Sequence, residues 1–198
     1  GGAKPVAGGP APGKPLPDFS KWGQIERKAA TVTRKKIAET LSFTWSHVPQ
    51  VTQYDRADIT LLEEFRSQYG DRVKDAGGKL TMTSILLKVV TLALQEFPKF
   101  NASYDPDTQE IIYKKYYHVS VAVDTDRGLL VPVVRDVETK SLLQLSVELS
   151  ELAEKARSHK VTPDDMTGGN FTVSNLGGLG GTGFSPIIYW PQTAILGV

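Results

Sequence analysis

The chain has 198 residues and no cysteine, which excludes disulfides, thiolate metal sites and a cysteine nucleophile. If this protein performs thiol chemistry, the thiols must therefore belong to its substrates. Histidine is also scarce: His47, His118 and His159 are far apart in the sequence and in unrelated settings. We therefore expect no histidine metal cluster, and no metal site of any kind.

An excess of one charge and long apolar runs are lacking as well. The 23 lysines and arginines nearly balance the 22 acidic residues, for a formal net charge of +1. This balance does not indicate the broad basic surface of a nucleic-acid-binding protein. No apolar run reaches the roughly 18 residues needed to cross a bilayer. We therefore expect neither nucleic acid nor a membrane among the partners.

The first segment, residues 1–17, reads GGAKPVAGGPAPGKPLP and offers almost nothing that a core could bury. Glycine and proline at this density predict a flexible linker, and a cloning remnant is the alternative. From Asp18 the composition changes, and Phe19, Trp22 and Ile25 give the chain its first apolar anchors. Residues 18–198 are predicted to form one domain.

Apolar periodicity in this domain predicts both helices and strands. The helices are expected at 33–46, from Thr60 with Gly70 as C-terminal cap, at 83–97 and at 141–159. Strands are expected at 51–59, 111–117, 119–123, 129–134 and 171–174. Pro132 favours an edge position or a bulge for the fourth of these strands. The mixture predicts an α/β two-layer sandwich with helices covering one face of the sheet.

A glycine-rich loop begins at Asn175 and reads NLGGLGGTG. Gly178, Gly180 and Gly183 follow a predicted strand with the G-x-G-x-x-G spacing of a dinucleotide-binding fold. That fold also needs a helix after the loop and an acidic residue about 20 positions on. Here FSPIIYWPQ follows, with two prolines, and no Asp or Glu occurs after Asn175. The context thus disfavours a dinucleotide-binding protein and favours a bent loop in which glycine supplies positive φ.

Four further stretches carry a resemblance to a known family. They are HVPQVTQYDRADIT at 47–60, FPKFNAS at 97–103, VAVDTDRGLLVPVVRD at 121–136 and GGNFTVSNLGGLGG at 168–181. Followed by PQTAILGV, they resemble, in the same order, the catalytic core of the dihydrolipoamide acyltransferases of 2-oxoacid dehydrogenase complexes. FSKWGQIE and GGTGFSPII are more similar to the acetyltransferases of pyruvate dehydrogenase than to the succinyl- or branched-chain-specific relatives.

The resemblance implies a chloramphenicol-acetyltransferase-like fold with a mixed sheet. It implies transfer of an acetyl group from dihydrolipoamide to coenzyme A, with the lipoyl group carried on a separate domain upstream. Homotrimers with active sites between subunits would assemble into a larger cubic or icosahedral core. The decarboxylase and dihydrolipoamide dehydrogenase components would be partners, in the bacterial cytoplasm or, in a eukaryote, the mitochondrial matrix.

The resemblance also assigns individual residues. The hydroxyl of FTVSN, which donates a hydrogen bond to the tetrahedral oxyanion in the family, falls on Ser174. Four positions match coenzyme A contacts: Arg66, Thr81, Asp124 and Asn175. Without the resemblance, the serine would be interpreted as a turn or capping residue. Likewise, the arginine would be a solvated helical side chain, the threonine a pre-helix residue and the aspartate a turn residue.

Two family features have no match in this sequence. One amide-bearing position on the helix at 141–159 is occupied by Ala153. The family's base is a histidine in H-x-x-x-D-G after AILG, and none of the three histidines is followed by that pattern. A general base is commonly worth roughly 10²–10⁴ in rate. We therefore expect that the C-terminal part of the domain is missing and that the chain alone is nearly inactive. The alternative is a non-catalytic structural core.

Overall fold

The computed structural model describes residues 15–126 and 128–198. They form two compact units with a boundary between Pro49 and Gln50, and each unit is described separately. The predicted linker, residues 1–17, lies outside the described residues except for its last three, which are exposed.

The first unit contains a 3₁₀-helix, Phe19–Lys21, and the helix α1, Val32–His47. The side chain of Thr31 caps α1 by accepting a hydrogen bond of 3.3 Å from the backbone N–H of Arg34. The helix ends at His47, and Val48, the residue before Pro49, has the extended backbone that a following proline favours. The predicted helix at 33–46 is thus confirmed.

The second unit contains three longer helices: α2, Thr60–Asp75; α3, Met82–Glu96; and α4, Leu142–Arg157. Thr81 and Ser141 cap α3 and α4, each in a capping box that satisfies two helix-terminal groups. No helix within the described ranges is both long and apolar enough to cross a membrane.

Two predictions about α2 were wrong. The helix continues through Gly70 to Asp75. A glycine inside a helix costs only about 1 kcal/mol, and the following turn buries Val73 against Leu80 and Ile85. Thr60 and Glu63, whose spacing predicts a capping box at the start of the helix, form none. Instead, the carboxylate of Asp58 accepts a hydrogen bond of 2.9 Å from the backbone N–H of Thr60.

Among the described residues, six strands form two sheets: β1, Ala102–Asp105; β2, Glu110–Tyr113; β3, Val119–Val121; β4, Val133–Val134; β5, Phe171–Ser174; and β6, Ile195–Gly197. β1 and β2 make an antiparallel hairpin. The other four have the order β4-β3-β5-β6, in which β3 pairs antiparallel with β4 but parallel with β5. This is the predicted mixed sheet, and β4 at its edge follows Pro132.

The predicted strand at 51–59 is wrong, because these residues, all described, form neither strand nor helix. Val51 is 98% exposed, so the alternation in its sequence does not mark a buried face. The segment is held instead by side chains. The hydroxyl groups of Tyr54 and Ser185 lie 2.5 Å apart, and the Gln50 Oε1 accepts 3.1 Å from the backbone N–H of Ile188.

The core lies between the four-stranded sheet and the helices α3 and α4. Leu87 of α3 and Leu145 of α4 are fully buried against Val119 and Val173 of the sheet. Burial of each such side chain stabilises the fold by about 1.5–3 kcal/mol. The strands alternate, so the side chains of Thr172 and Ser174 point to the opposite face. The helices thus cover one face of the sheet, as predicted, and the polar side chains of Thr172 and Ser174 lie on the other.

Candidate active site

The sheet face opposite the helices is polar. Thr172, which is 2% exposed, donates a hydrogen bond of 2.6 Å from its hydroxyl to the Oε1 of Gln192. The amide nitrogen of Gln192 donates in turn to the carbonyl of Gly169 at 3.2 Å. Gln192 belongs to the segment that follows the glycine-rich loop, so this segment covers the middle of the polar face.

Ser174 lies where this cover ends, at the carboxyl end of β5. Its backbone carbonyl accepts a hydrogen bond of 2.9 Å from Val198, which fixes the strand end. Its side chain is half-buried, and within residues 15–126 and 128–198 its hydroxyl has no hydrogen-bond partner. The turn or capping contact that was the alternative for this serine is therefore not made. A positioned hydroxyl with an unused donor is what an oxyanion requires.

Asn175 connects the strand end to α3. Its Nδ2 donates a hydrogen bond of 3.1 Å to the hydroxyl of Thr83, and its Oδ1 accepts a hydrogen bond of 2.9 Å from the backbone N–H of Gly177. Thr83 lies in the first turn of α3, where the Thr81 hydroxyl accepts a hydrogen bond of 3.1 Å from the backbone N–H of Ser84. The structure therefore brings the Asn175 side chain and Thr81 to the same end of one helix. Thr81 has a capping role there that is independent of any ligand.

Arg66 lies on α2 in an ion pair with Glu63, with its Nε 2.9 Å from the Oε2. Hydrogen bonding to this carboxylate raises the pKa of the Arg66 guanidinium and lowers the pKa of the Glu63 carboxyl. The arginine is 41% exposed, so its outward N–H groups stay accessible to an anion.

A surface pocket of about 380 Å³ adjoins this arginine. It is lined by Arg66, Gly70, Asp71, Lys74, Gly78, Lys79 and Leu80. Three of these side chains are cationic and one is anionic, a balance that suits phosphate groups. Leu80 immediately precedes Thr81, so the pocket leads toward the N-terminus of α3. The predicted contacts Arg66 and Thr81 are thus near each other along one surface.

Asp124 follows β3 at the same end of the sheet as Ser174, because β3 and β5 are parallel. The backbone N–H of Ala122 donates 3.0 Å to the carbonyl of Val173, which keeps the two strand ends side by side. Asp124 is exposed and lines a second pocket with Thr125, Asp126 and Arg157. No contact within the described residues joins it to Ser174, so its role stays a prediction.

The three histidines have other partners. The Nδ1 of His118 accepts a hydrogen bond of 3.0 Å from the backbone N–H of Asp136. The Nε2 of His159 lies 3.1 Å from a carboxylate oxygen of Asp126. The Nδ1 of His47 lies 2.8 Å from the backbone carbonyl oxygen of Phe43, within α1. None of the hydrogen bonds among the described residues places a histidine beside the strand end of β5.

The glycine-rich loop has the backbone expected of a tight bend. A 3₁₀ turn, Gly177–Leu179, is followed by Gly180 and Gly181 with φ of +78° and +122°. Residues 180–198, all described, contain no helix. The loop therefore lacks the helix N-terminus that would hold a pyrophosphate, and the dinucleotide-binding alternative is excluded.

With this geometry in place, comparison with known proteins decides the family. Residues 23–198 match the sequence model of the 2-oxoacid dehydrogenases acyltransferase (catalytic domain) family. The chain belongs to this family.

Relatives within the acyltransferase family share about half of the sequence. The chain is 49% identical over 198 residues to the dihydrolipoyllysine-residue acetyltransferase component of the pyruvate dehydrogenase complex of Pseudomonas aeruginosa, covering 100% of this chain and 36% of that protein. The corresponding component of Azotobacter vinelandii is 51% identical over 181 residues, 91% of this chain and 28% of that protein. The chain thus spans about a third of the length of these relatives.

Solved structures of the family have the same fold. One is the Azotobacter vinelandii dihydrolipoamide acetyltransferase, studied for the role of a serine, a histidine and an asparagine in its catalytic mechanism. It matches with a TM-score of 0.91 and 50% identity, covering 94% of this chain and 76% of that chain. The cubic core of the pyruvate dehydrogenase multienzyme complex matches with the same values. The predicted chloramphenicol-acetyltransferase-like fold is confirmed.

The sequence patterns did not identify Phe184 and Gly197, two residues near Ser174, as parts of the site. The ring of Phe184 lies against the backbone of Gly197, which is the residue paired with Ser174 in the sheet. The only signal was the glycine itself, since a glycine inside a strand often marks a close approach.

Proposed function

We propose that this chain is the catalytic core of an acetyltransferase that moves an acetyl group from a dihydrolipoyl thioester to the thiol of coenzyme A. The observation that carries this proposal is the Ser174 hydroxyl, unpartnered within the described residues at the carboxyl end of β5. The family and the names of its relatives, all acetyltransferase components, support the same activity.

The reaction forms and breaks one thioester bond. The coenzyme A sulfur attacks the carbonyl carbon, and the carbonyl oxygen becomes an oxyanion to which the Ser174 hydroxyl donates. Collapse of this intermediate expels the dihydrolipoyl thiolate, which takes up a proton. Because the chain has no cysteine, no enzyme thioester interrupts the transfer, and both thiols come from the substrates.

The attacking thiol must first lose its proton. A free thiol with a pKa near 8.5 is only a few per cent thiolate at neutral pH. The family's H-x-x-x-D-G pattern follows none of the three histidines in these 198 residues. We infer that residues 1–198 alone therefore transfer acetyl groups slowly, since a base is commonly worth roughly 10²–10⁴ in rate.

Coenzyme A would extend along the surface that joins the predicted contacts. The guanidinium fork of Arg66 suits a phosphate, and lysines share its pocket. Thr81 and Asn175 follow at the N-terminus of α3, and Asp124 lies at the same end of the sheet as Ser174. This path would end with the coenzyme thiol at the Ser174 hydroxyl.

The partners belong to the same proposal. The lipoyl group would arrive on a separate domain, acylated by a decarboxylase component and reoxidised by dihydrolipoamide dehydrogenase. Self-association into trimers and then a larger core is supported by the likeness to the cubic core of a pyruvate dehydrogenase complex. In a bacterium the complex would be cytoplasmic, and in a eukaryote it would lie in the mitochondrial matrix.

An acyl-transfer assay tests the proposed function. The protein as its gene encodes it, incubated with acetyl-dihydrolipoamide and coenzyme A, is expected to form acetyl-coenzyme A and free dihydrolipoamide in equal amounts. The products are measured by chromatography, with heat-denatured protein as the control. A protein that assembles into large particles but forms no acetyl-coenzyme A would contradict the proposal and would instead indicate a non-catalytic structural core.

A further inference from the structure

Gly197 has no room for a side chain. A Cβ built on it would lie 2.8 Å from the Cζ of Phe184 and 3.2 and 3.3 Å from the two Cε atoms of the same ring. Real Cβ atoms essentially never approach another heavy atom closer than 3.0 Å. The ring of Phe184 therefore occupies the position that a side chain at 197 would take.

This contact lies on the catalytic face of the sheet. Ser174 pairs with Gly197 in the parallel register of β5 and β6. Their preceding neighbours, Val173 and Leu196, pair in the same way and pack in the core under the helices. Ser174 and Gly197 therefore both face the opposite side, on strands about 4.8 Å apart. The Phe184 ring therefore lies over the strand next to Ser174, on the same face of the sheet.

The backbone around Phe184 is held on both sides. The hydroxyl groups of Tyr54 and Ser185 are 2.5 Å apart, and the Tyr54 ring approaches to 3.4 Å from where a Cβ of Gly183 would be. Tyr54 thus interacts with Ser185 and lies close to Gly183, the two chain neighbours of the phenylalanine. The space above Gly197 then decides how close to the sheet the ring can lie.

We propose that Gly197 determines acyl-chain specificity, because its missing side chain lets the Phe184 ring lie flat against the sheet beside Ser174. This inference rests on the proposed acyl transfer. A thioester whose carbonyl oxygen meets the Ser174 hydroxyl places its acyl chain within a few ångströms of the ring. A methyl group at position 197 would lift the ring off the sheet and into the space that the acyl chain needs. The kcat/KM value should therefore fall further for longer acyl chains than for acetyl.

The test compares acetyl- and propionyl-dihydrolipoamide as donors and takes the ratio of their kcat/KM values. One methylene in an apolar pocket changes such a ratio by roughly 10–200-fold. In the natural full-length protein, Gly197→Ala is expected to lower the propionyl-to-acetyl ratio about tenfold. Phe184→Leu removes bulk and is expected to raise it about tenfold. The double variant should return to within about threefold of the wild-type ratio, because the two changes share one contact.

Gly23→Ala is the matched control, since nothing lies within 4 Å of a Cβ at that glycine; its ratio should equal that of the wild type. A general weakening of the strand would lower both kcat/KM values together and leave the ratio unchanged. An unchanged ratio in Phe184→Leu overturns the inference even if Gly197→Ala fails to fold. In that result the wild type still transfers acetyl groups, so the proposed function stands. A wild type that transfers no acyl group overturns both.

Discussion

Replacing Ser174 by alanine is expected to lower kcat by about 10²–10³-fold, the usual effect of removing one oxyanion donor. The KM for coenzyme A should change by less than about threefold, because the hydroxyl acts on charge that exists only in the transition state. The half-buried side chain has no hydrogen-bond partner within the described residues, so its removal breaks no hydrogen bond among them. Steady-state kinetics with acetyl-dihydrolipoamide and coenzyme A measure both constants.

Two further variants separate chemistry from structure. Ser174→Thr keeps a hydroxyl at the strand end and is expected to restore most of the turnover lost in the alanine variant. Ser158→Ala removes a serine hydroxyl at the exposed end of α4 and should leave kcat unchanged. Turnover of Ser174→Ala within about threefold of the wild type would rule out the oxyanion role, because even one donor is worth far more.

The second large effect is expected at Asn170. The substitution Asn170→Asp should lower the free energy of unfolding by about 3–5 kcal/mol at pH 7. Asn170 is 1% exposed and begins the connection into β5. Its Nδ2 donates to the side-chain oxygen of Asn101 and, at 2.6 Å, to the carbonyl of Tyr116. Its Oδ1 accepts 2.7 Å from the N–H of His118. Aspartate keeps the shape but turns the donor group into a buried, charged acceptor that faces two other acceptors.

The loss of unfolding free energy in Asn170→Asp should depend on pH. Burial, with one carboxylate oxygen facing two other acceptors, raises the folded-state pKa of the new carboxyl above its unfolded value of about 3.9. Stability is therefore highest below that unfolded pKa and is lost as pH rises through the folded pKa. Urea denaturation at pH 5 and pH 7 should show the smaller penalty at pH 5. Gln68→Glu, an isosteric change on the exposed side of α2, is the control. A penalty below about 1 kcal/mol, or one equal at both pH values, would contradict this account.

Helices α3 and α4 could be predicted because each one buries a periodic apolar face. On α4, Leu145, Leu149 and Leu152 have helical spacing and pack in the core. Prediction failed where local signals and burial disagree. Gly70 suggested a helix end, but the burial of Val73 extends α2. The hairpin strand β1 was missed because its four residues, ASYD, form a short run without a β-branched residue, and their burial does not follow the alternation of their types.

In the candidate site, too, some residues could be predicted from the sequence and others could not. Ser174 and Asn175 are adjacent in the chain and lie in a motif, so the sequence predicted where both would be found. The contact between Phe184 and Gly197 joins residues on different segments that share no periodic pattern. It depends on the parallel register of β5 and β6, which only the folded sheet defines.

The central claim is that coenzyme A delivers its thiol to the Ser174 hydroxyl on the sheet face opposite α3 and α4. A crystal structure of the protein with bound coenzyme A tests it most directly. We expect the sulfur on that face, at a distance from the Ser174 Oγ that leaves room for a carbonyl about 3–3.5 Å from each reacting atom. A sulfur on the helical face, or a coenzyme bound away from Ser174 altogether, would contradict the account.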